Sequence, residues 1–303
     1  MYYKNNKFDK NRILDNFINI NWLIISILLI LFIIGCFVIY SASGGSFYPL
    51  VEKHIYKFIF SFIILFFICC INYEFFKSCS YYFYLLSIFL LVFLVFFGTE
   101  NAGSQRWINF GFFSIQPSEF AKITLILAIS KYYSDVTHLG DNSLIKVIIP
   151  VLFIVIPFII IVNQPDLGTS ILLLANGISL IIISGISLWF ILLGLFLFLI
   201  SVPVIWSILF DYQKQRILTF INPEGDPLGS GYHIAQSKIA IGSGGFTGKG
   251  FMQGSQSQLE FIPEIHTDFV FSVFSEEFGY LGALVIVVLY LYLFIYGLLS
   301  CYK

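Results

Sequence analysis

The chain has 303 residues, of which 58% are hydrophobic and only 11% charged, with a formal net charge of −1. A water-facing domain carries roughly 25% charged residues, so this composition excludes an ordinary soluble globule. The near-zero net charge provides no basic field and excludes nucleic acid as a partner.

In chain order, the first feature is a tail, 1–20, that carries Lys4, Lys7, Lys10 and Arg12. An apolar run of about 19 residues follows, longer than a signal-peptide core of roughly 7–15 and repeated further along, so it reads as a retained membrane span. Hydropathy predicts about eight helical spans, at 21–41, 55–72, 80–98, 117–133, 146–163, 168–186, 188–209 and 269–299. Each is near the length that crosses ~30 Å of hydrocarbon. Lipid offers backbone N–H and C=O groups no partner, which makes them helices. The fourth is the least apolar and contains Glu119 and Lys122. The basic tail predicts a cytoplasmic N-terminus; alternation then puts Lys77, Lys131, Lys146 and Lys303 on the same side and the hydrophilic stretch 210–267 on the other. The expected fold class is an all-α polytopic membrane protein, 1–303 forming one membrane domain with one large extracytoplasmic loop.

The five cysteines, Cys36, Cys69, Cys70, Cys79 and Cys301, include no C-x-x-C pair and read as apolar fillers. The Gly-rich run 242–250 fails as a phosphate-binding loop, because Gly248-Lys249 is followed by Gly250 where Ser or Thr is required. It reads as flexible loop turns.

Ionisable residues at membrane depth are costly and default to functional hypotheses. Three groups of polar residues stand out. The first runs from Arg106-Trp107 through Gln116-Pro117-Ser118-Glu119 to Lys122. Pro117 suits a first helical turn, and Glu119 and Lys122, three apart, share a face. They are either an internal ion pair or a polar wall on an outward cavity; Trp107 is also a candidate interfacial aromatic. The second is the turn Asn163-Gln164-Pro165-Asp166-Leu167-Gly168-Thr169, where Asp166 either caps the sixth span or serves a site. The third is 210–267 with Asp268 at its end. It holds Arg216, Lys238, Lys249, Glu260, Glu264 and His266. Asp268 is either an N-cap or a working carboxylate, and the Glu260, Glu264, His266 and Asp268 spacing is not diagnostic of a metal site.

Taken in order, four strings resemble the SEDS (shape, elongation, division, sporulation) family, the RodA, FtsW and SpoVE proteins, over essentially the whole chain. They are Gly103-Ser104-Gln105-Arg106-Trp107, Gln116-Pro117-Ser118-Glu119-Phe120-Ala121-Lys122, Gln164-Pro165-Asp166-Leu167-Gly168-Thr169-Ser170, and the run from Gln256 to Phe269. The stretches Gln236–Gly245 and Ser257-Gln258-Leu259-Glu260 look like the RodA, elongation branch. The resemblance implies about ten transmembrane helices in a bacterial inner membrane and polymerisation of lipid II into glycan strands. It puts the family's essential aspartate on Asp268 and a second acidic position on Glu260. Its pattern continues for about two more helices with a Ser-Tyr-Gly-Gly-Ser segment, so a C-terminally shortened member is expected. The implied partners are a class B penicillin-binding transpeptidase and other elongation-complex membrane proteins.

The implied chemistry joins a sugar 4-hydroxyl to the anomeric carbon of a second lipid II, releasing undecaprenyl pyrophosphate. The hydroxyl needs a general base, for which Asp268 is the candidate. Pyrophosphate leaves as an anion, so one carboxylate suffices where glycoside hydrolases use two. Cationic stabilisation falls to Arg106, Arg216, Lys238 and Lys249, or to a divalent cation, Mg²⁺ or Mn²⁺. Attack opposite the leaving group inverts the anomeric centre. Two other readings are a lipid II flippase or transporter and a truncated relic that only binds partners.

Overall fold

A computed structural model describes residues 20–101, 104–109, 114–136, 144–222, 225, 230–255 and 265–302. The eight predicted spans all appear as helices. They are α1 (Trp22–Ala42), α2 (Leu50–Cys70), α3 (Tyr73–Phe97), α4 (Pro117–Asp135), α5 (Ile145–Asn163), α6 (Leu167–Ile183), α7 (Leu188–Ile208) and, after two helices described below, α10 (Val270–Tyr302). By length and apolarity alone α1, α2, α3, α5 and α10 can cross a membrane, while α6 and the apolar part of α7 are shorter. Two expectations are corrected. The stretch 210–267 is not simply loop, for it holds α8 (Asp211–Ile221) and α9 (Ser230–Ser243). The last span is not one helix, because Gly279, at φ 65° and ψ −163°, breaks α10 into 270–278 and a longer apolar remainder. A small antiparallel meander, β1 (Thr99–Asn101), β2 (Ser104–Asn109) and β3 (Ser114–Ile115), was not foreseen in the otherwise helical fold.

The chain divides into two compact units, 72–213 and the combination of 1–71 with 214–303. In the first, α3, α4, α5 and α6 pack around a core of Tyr84, Leu91, Ala121, Leu125, Ala128, Ile129, Ile154, Ile161, Leu173 and Ile181. The buried positions 121, 125, 128, 129 and 132 of α4 follow helical spacing. They touch α3, α5 and α6. A helix surrounded by protein need not be apolar all round, which accounts for its weak hydropathy. Ala121 and Ala128 let neighbours approach, and Thr124 donates to Ser87 Oγ of α3 at 2.9 Å. Gly177 does the same for α6: a Cβ there would lie 2.4 Å from Ile154 Cγ1.

Helix α5 contains Pro150 and Pro157, both buried. Proline has no N–H, so the carbonyls of Lys146 and Phe153, four residues earlier, lose their helical donors. Two tyrosines supply them: Tyr133 Oη donates to Lys146 O at 2.9 Å and Tyr84 Oη to Phe153 O at 3.0 Å. Freed backbone groups in a membrane helix must find partners of this kind.

In the second unit α1 packs on α2 and on α10, and α9 packs on α10. Its core is Val38, Ala42, Ala240, Ile265, Val273 and Phe274. Phe32 of α1 stacks on Phe58 of α2 with ring centroids 3.8 Å apart.

Candidate functional site

Each unit holds its own polar group. In the unit 72–213 the turn between α5 and α6 is fixed by two of the motif residues. Gln164 Nε2 donates to Leu91 O at 2.9 Å, tying the turn to α3. Asp166, 6% exposed, is the N-cap of α6, and its Oδ1 accepts from Thr169 N at 3.4 Å. Its other oxygen faces two donors: Gln116 Nε2 at 3.4 Å and Arg106 Nε at 3.7 Å. The Arg106 Nε distance is an ion pair and not a hydrogen bond. The guanidinium is instead oriented by Nη2, which donates to Pro165 O at 2.7 Å. Arg106 and Trp107 are neighbours on β2, so their side chains leave opposite faces of the strand. Arg106 is thereby directed to the turn while Trp107 is 38% exposed.

Of the sequence alternatives for Asp166 the cap is seen directly, and the same carboxylate also receives a charged side chain from β2 and a polar one from the residue before α4. Glu119 and Lys122, one turn into α4, form the intrahelical pair at 2.8 Å, with Glu119 56% exposed. This pair neutralises itself.

In the other unit, residues 265–269 form a turn leading into α10. Ile265 is buried in the core with Val273 and Phe274, and Phe269 O accepts from Ser272 N at 2.9 Å and Val273 N at 3.3 Å. Phe269, not Asp268, thus occupies the capping position, and Asp268 is exposed. The N-cap alternative for Asp268 is not realised. Its neighbour His266 is half-buried, with Nδ1 lacking a hydrogen-bond partner among the described residues. Lys238 is exposed on α9. Arg216 belongs to α8, and Glu260 and Glu264 lie outside the described residues.

Sequence reasoning missed two carboxylates. Glu276 and Glu277, 0% and 1% exposed, are the most deeply buried charged groups among the described residues. Lys249 Nζ sits 2.6 Å from Glu276 Oε1 and donates to Ser255 Oγ at 2.9 Å, while Ser255 Oγ donates to the same Glu276 oxygen at 3.3 Å. Glu277 Oε1 accepts from Ser41 Oγ of α1 and from Met252 N at 3.2 Å. The signal was available: two consecutive acids inside an apolar run, with Gly279 two residues further on.

The Gly-rich run is the structural partner of this kink rather than a set of flexible turns. In an unbroken helix Tyr280 N and Leu281 N would donate to Glu276 O and Glu277 O. Instead Lys249 N and Gly250 N donate to those carbonyls, each at 3.0 Å, while Tyr280 N and Leu281 N donate to Gly245 O at 2.9 Å and Phe246 O at 3.2 Å. All four groups released by the kink are paired, as buried peptide groups must be. The approach requires glycine on both sides. A Cβ on Gly248 would stand 2.0 Å from Glu277 O, and one on Gly279 would stand 2.3 Å from Gly248 N.

No group of three or more His, Cys, Asp or Glu side chains suited to a metal occurs among the described residues.

The profile of a family described as "Cell cycle protein", FtsW/RodA/SpoVE, matches residues 21–303. Peptidoglycan glycosyltransferase MrdB of Escherichia coli (strain K12) is 41% identical over 273 residues, covering 90% of this chain and 73% of its own. Two solved structures share the fold. A chain from a study of the structural coordination of polymerization and crosslinking by a peptidoglycan synthase complex matches with TM-score 0.72 at 24% identity, covering 90% of this chain and 75% of that one. The crystal structure of Thermus thermophilus rod shape determining protein RodA matches with TM-score 0.61 at 22% identity, covering 91% and 73%.

Proposed function

Since this chain belongs to the FtsW/RodA/SpoVE family, we propose that it is a peptidoglycan glycosyltransferase that polymerises lipid II with Asp268 as general base. Asp268 takes the proton of the acceptor 4-hydroxyl as that oxygen attacks the donor's anomeric carbon. The bond from that carbon to the pyrophosphate breaks, and undecaprenyl pyrophosphate leaves with its electron pair. Attack from the opposite face inverts the centre. The acid stays free to accept the proton because it is exposed and does not cap α10. Lys238 is an exposed cation on α9, suited to the leaving pyrophosphate. Lys249 is already matched to Glu276 and is better placed to organise the site than to receive substrate charge.

The single observation that carries the location of this chemistry is the contact between Ser41 and Glu277. Helix α1 has 21 residues and so spans about 31 Å, enough to cross the hydrocarbon. Ser41 is at its far end from the basic tail. With a cytoplasmic N-terminus in a bacterial inner membrane, Glu277 then sits near the outer boundary, and the turn bearing Asp268 precedes it. The unit 72–213, taken by itself, also has a basic end. Lys131 Nζ donates to Ser78 O at 3.1 Å and Tyr133 reaches Lys146 O, so Lys131 and Lys146 share one end of the bundle, as a cytoplasmic face requires. A base on the outer face meets a sugar in water while the lipid tail stays in the bilayer. A class B penicillin-binding transpeptidase, supplied by another chain, would cross-link the product.

The transporter reading has less support. Glu119 and Lys122 pair with each other, and Asp166 is engaged by Arg106, Gln116 and a helix end. The deciding experiment incubates the purified chain with lipid II in detergent, with and without the transpeptidase. Glycan polymer is expected. Lipid movement in vesicles without polymer would replace the enzyme by a transporter. Asp268→Asn should polymerise at least about 100-fold more slowly at unchanged thermal stability, and polymerisation at the normal rate would remove Asp268 from the mechanism.

A further inference from the structure

We propose that Lys249 and Glu276 are positioning residues for the transfer reaction, an inference that rests on the role assigned to Asp268: their ion pair fixes the rotation of the helical stub 270–278, which directly follows the turn 265–269 that carries that aspartate.

The backbone alone already completes the kink, since all four released peptide groups are paired across it. The charge pair, its carboxylate buried and its Lys249 partly exposed, is therefore not needed to satisfy the chain. Burying two charges is expensive, and well-packed apolar residues are often at least as stabilising. A charge pair adds direction. Glu276 is held by Lys249 and Ser255 on the loop after the Gly-rich run. Glu277 is held by Ser41 on α1 and by Met252 N. Consecutive side chains leave a helix about 100° apart. Added to the backbone bonds at Glu276 O and Glu277 O, two such restraints in different directions narrow the rotation of the stub about its axis more than either one alone.

The glycine break at Gly279 isolates the stub from the long apolar remainder of α10, so its orientation is set by these contacts. Its other end is tied to the turn 265–269 through Phe269 O and through Ile265, which packs on Val273 and Phe274. Rotation of the stub is thus passed to Asp268. With side chains reaching roughly 5–6 Å from a helix axis, a roll of about 10° moves a carboxylate by about 1 Å. A displacement of that size in a reacting group costs on the order of 100-fold in rate.

The test uses the full chain in detergent and the double substitution Lys249→Met with Glu276→Leu, which removes both charges together and leaves neither unpaired. Three quantities are read: thermal stability, the kcat and KM of lipid II polymerisation, and hydrogen exchange at 270–278. The expected result is wild-type thermal stability, a kcat at least about tenfold lower at similar KM, and faster exchange at 270–278. Lys249→Arg, which keeps the charge, should retain most of the turnover. A double variant that polymerises at the wild-type rate overturns the proposal, and so does one that loses turnover with exchange at 270–278 unchanged. If the double variant does not fold, Glu276→Gln, which keeps shape and acceptor but not charge, takes its place under the same criteria. Absence of polymer from the wild-type chain would refute the reaction assigned above and not the restraint, which the exchange comparison then decides alone.

Discussion

The two units handle buried polarity with different emphasis. In the bundle of α3 to α6, polar side chains serve the backbone: tyrosine hydroxyls replace donors that proline removed, Gln164 reaches Leu91 O, and Asp166 caps α6. Around the break in α10, the backbone serves itself through the Gly-rich run, and of the two buried carboxylates beside it Glu276 meets a charge while Glu277 takes neutral donors. Neutral donors on carbonyls hold a scaffold at little electrostatic cost. Buried ions fix direction, and this one lies on the helix that starts beside the candidate base.

The comparison can be broken at either unit. The largest effect is expected from Gly279→Ala, which puts a Cβ against Gly248 N in a left-handed backbone conformation. It should lose about 3 kcal/mol or more of stability, read as a drop in thermal midpoint in detergent; near-wild-type stability would show that the kink can relax. Asp166→Ala removes the α6 cap and leaves the half-buried Arg106 without its carboxylate, and a loss of about 2–3 kcal/mol is expected, again by thermal midpoint. Next come Tyr84→Phe and Tyr133→Phe. Each leaves one carbonyl of α5 without a donor and should cost about 1–2 kcal/mol, with local hydrogen exchange in α5 accelerating. If α5 exchange is unmoved, water or a neighbour already fills the gap. Glu119→Gln should change stability least, by under about 1 kcal/mol, because the carboxylate is more than half exposed.

How much was legible follows from the range of each interaction. Spans set by a run of apolar residues were readable to within a few residues at most ends, as with 146–163 against Ile145–Asn163; the largest offsets are the starts of α2 and α3. The pairing of Glu119 with Lys122 was readable because i,i+3 spacing fixes it. Contacts across the chain were not: nothing in the sequence ties Tyr84 to Pro157, or Ser41 to Glu277. The break at Gly279 escaped for a different reason. Hydropathy over 269–299 averages two acids into an apolar background, whereas the cost of those acids, taken singly, marks the place. The meander 99–115 was hidden because its strands are too short for an alternating pattern to register.

The tyrosine hydroxyls on α5 carry one more implication. Tyr84 and Pro157, and likewise Tyr133 and Pro150, are conditional on one another although some 70 and 17 positions apart. Restoring an amide at 157 would set two donors competing for Phe153 O and leave a hydroxyl stranded among hydrocarbon. A lineage can therefore abandon either bend only by changing both members together, and the loss of one without the other should be rare in viable chains.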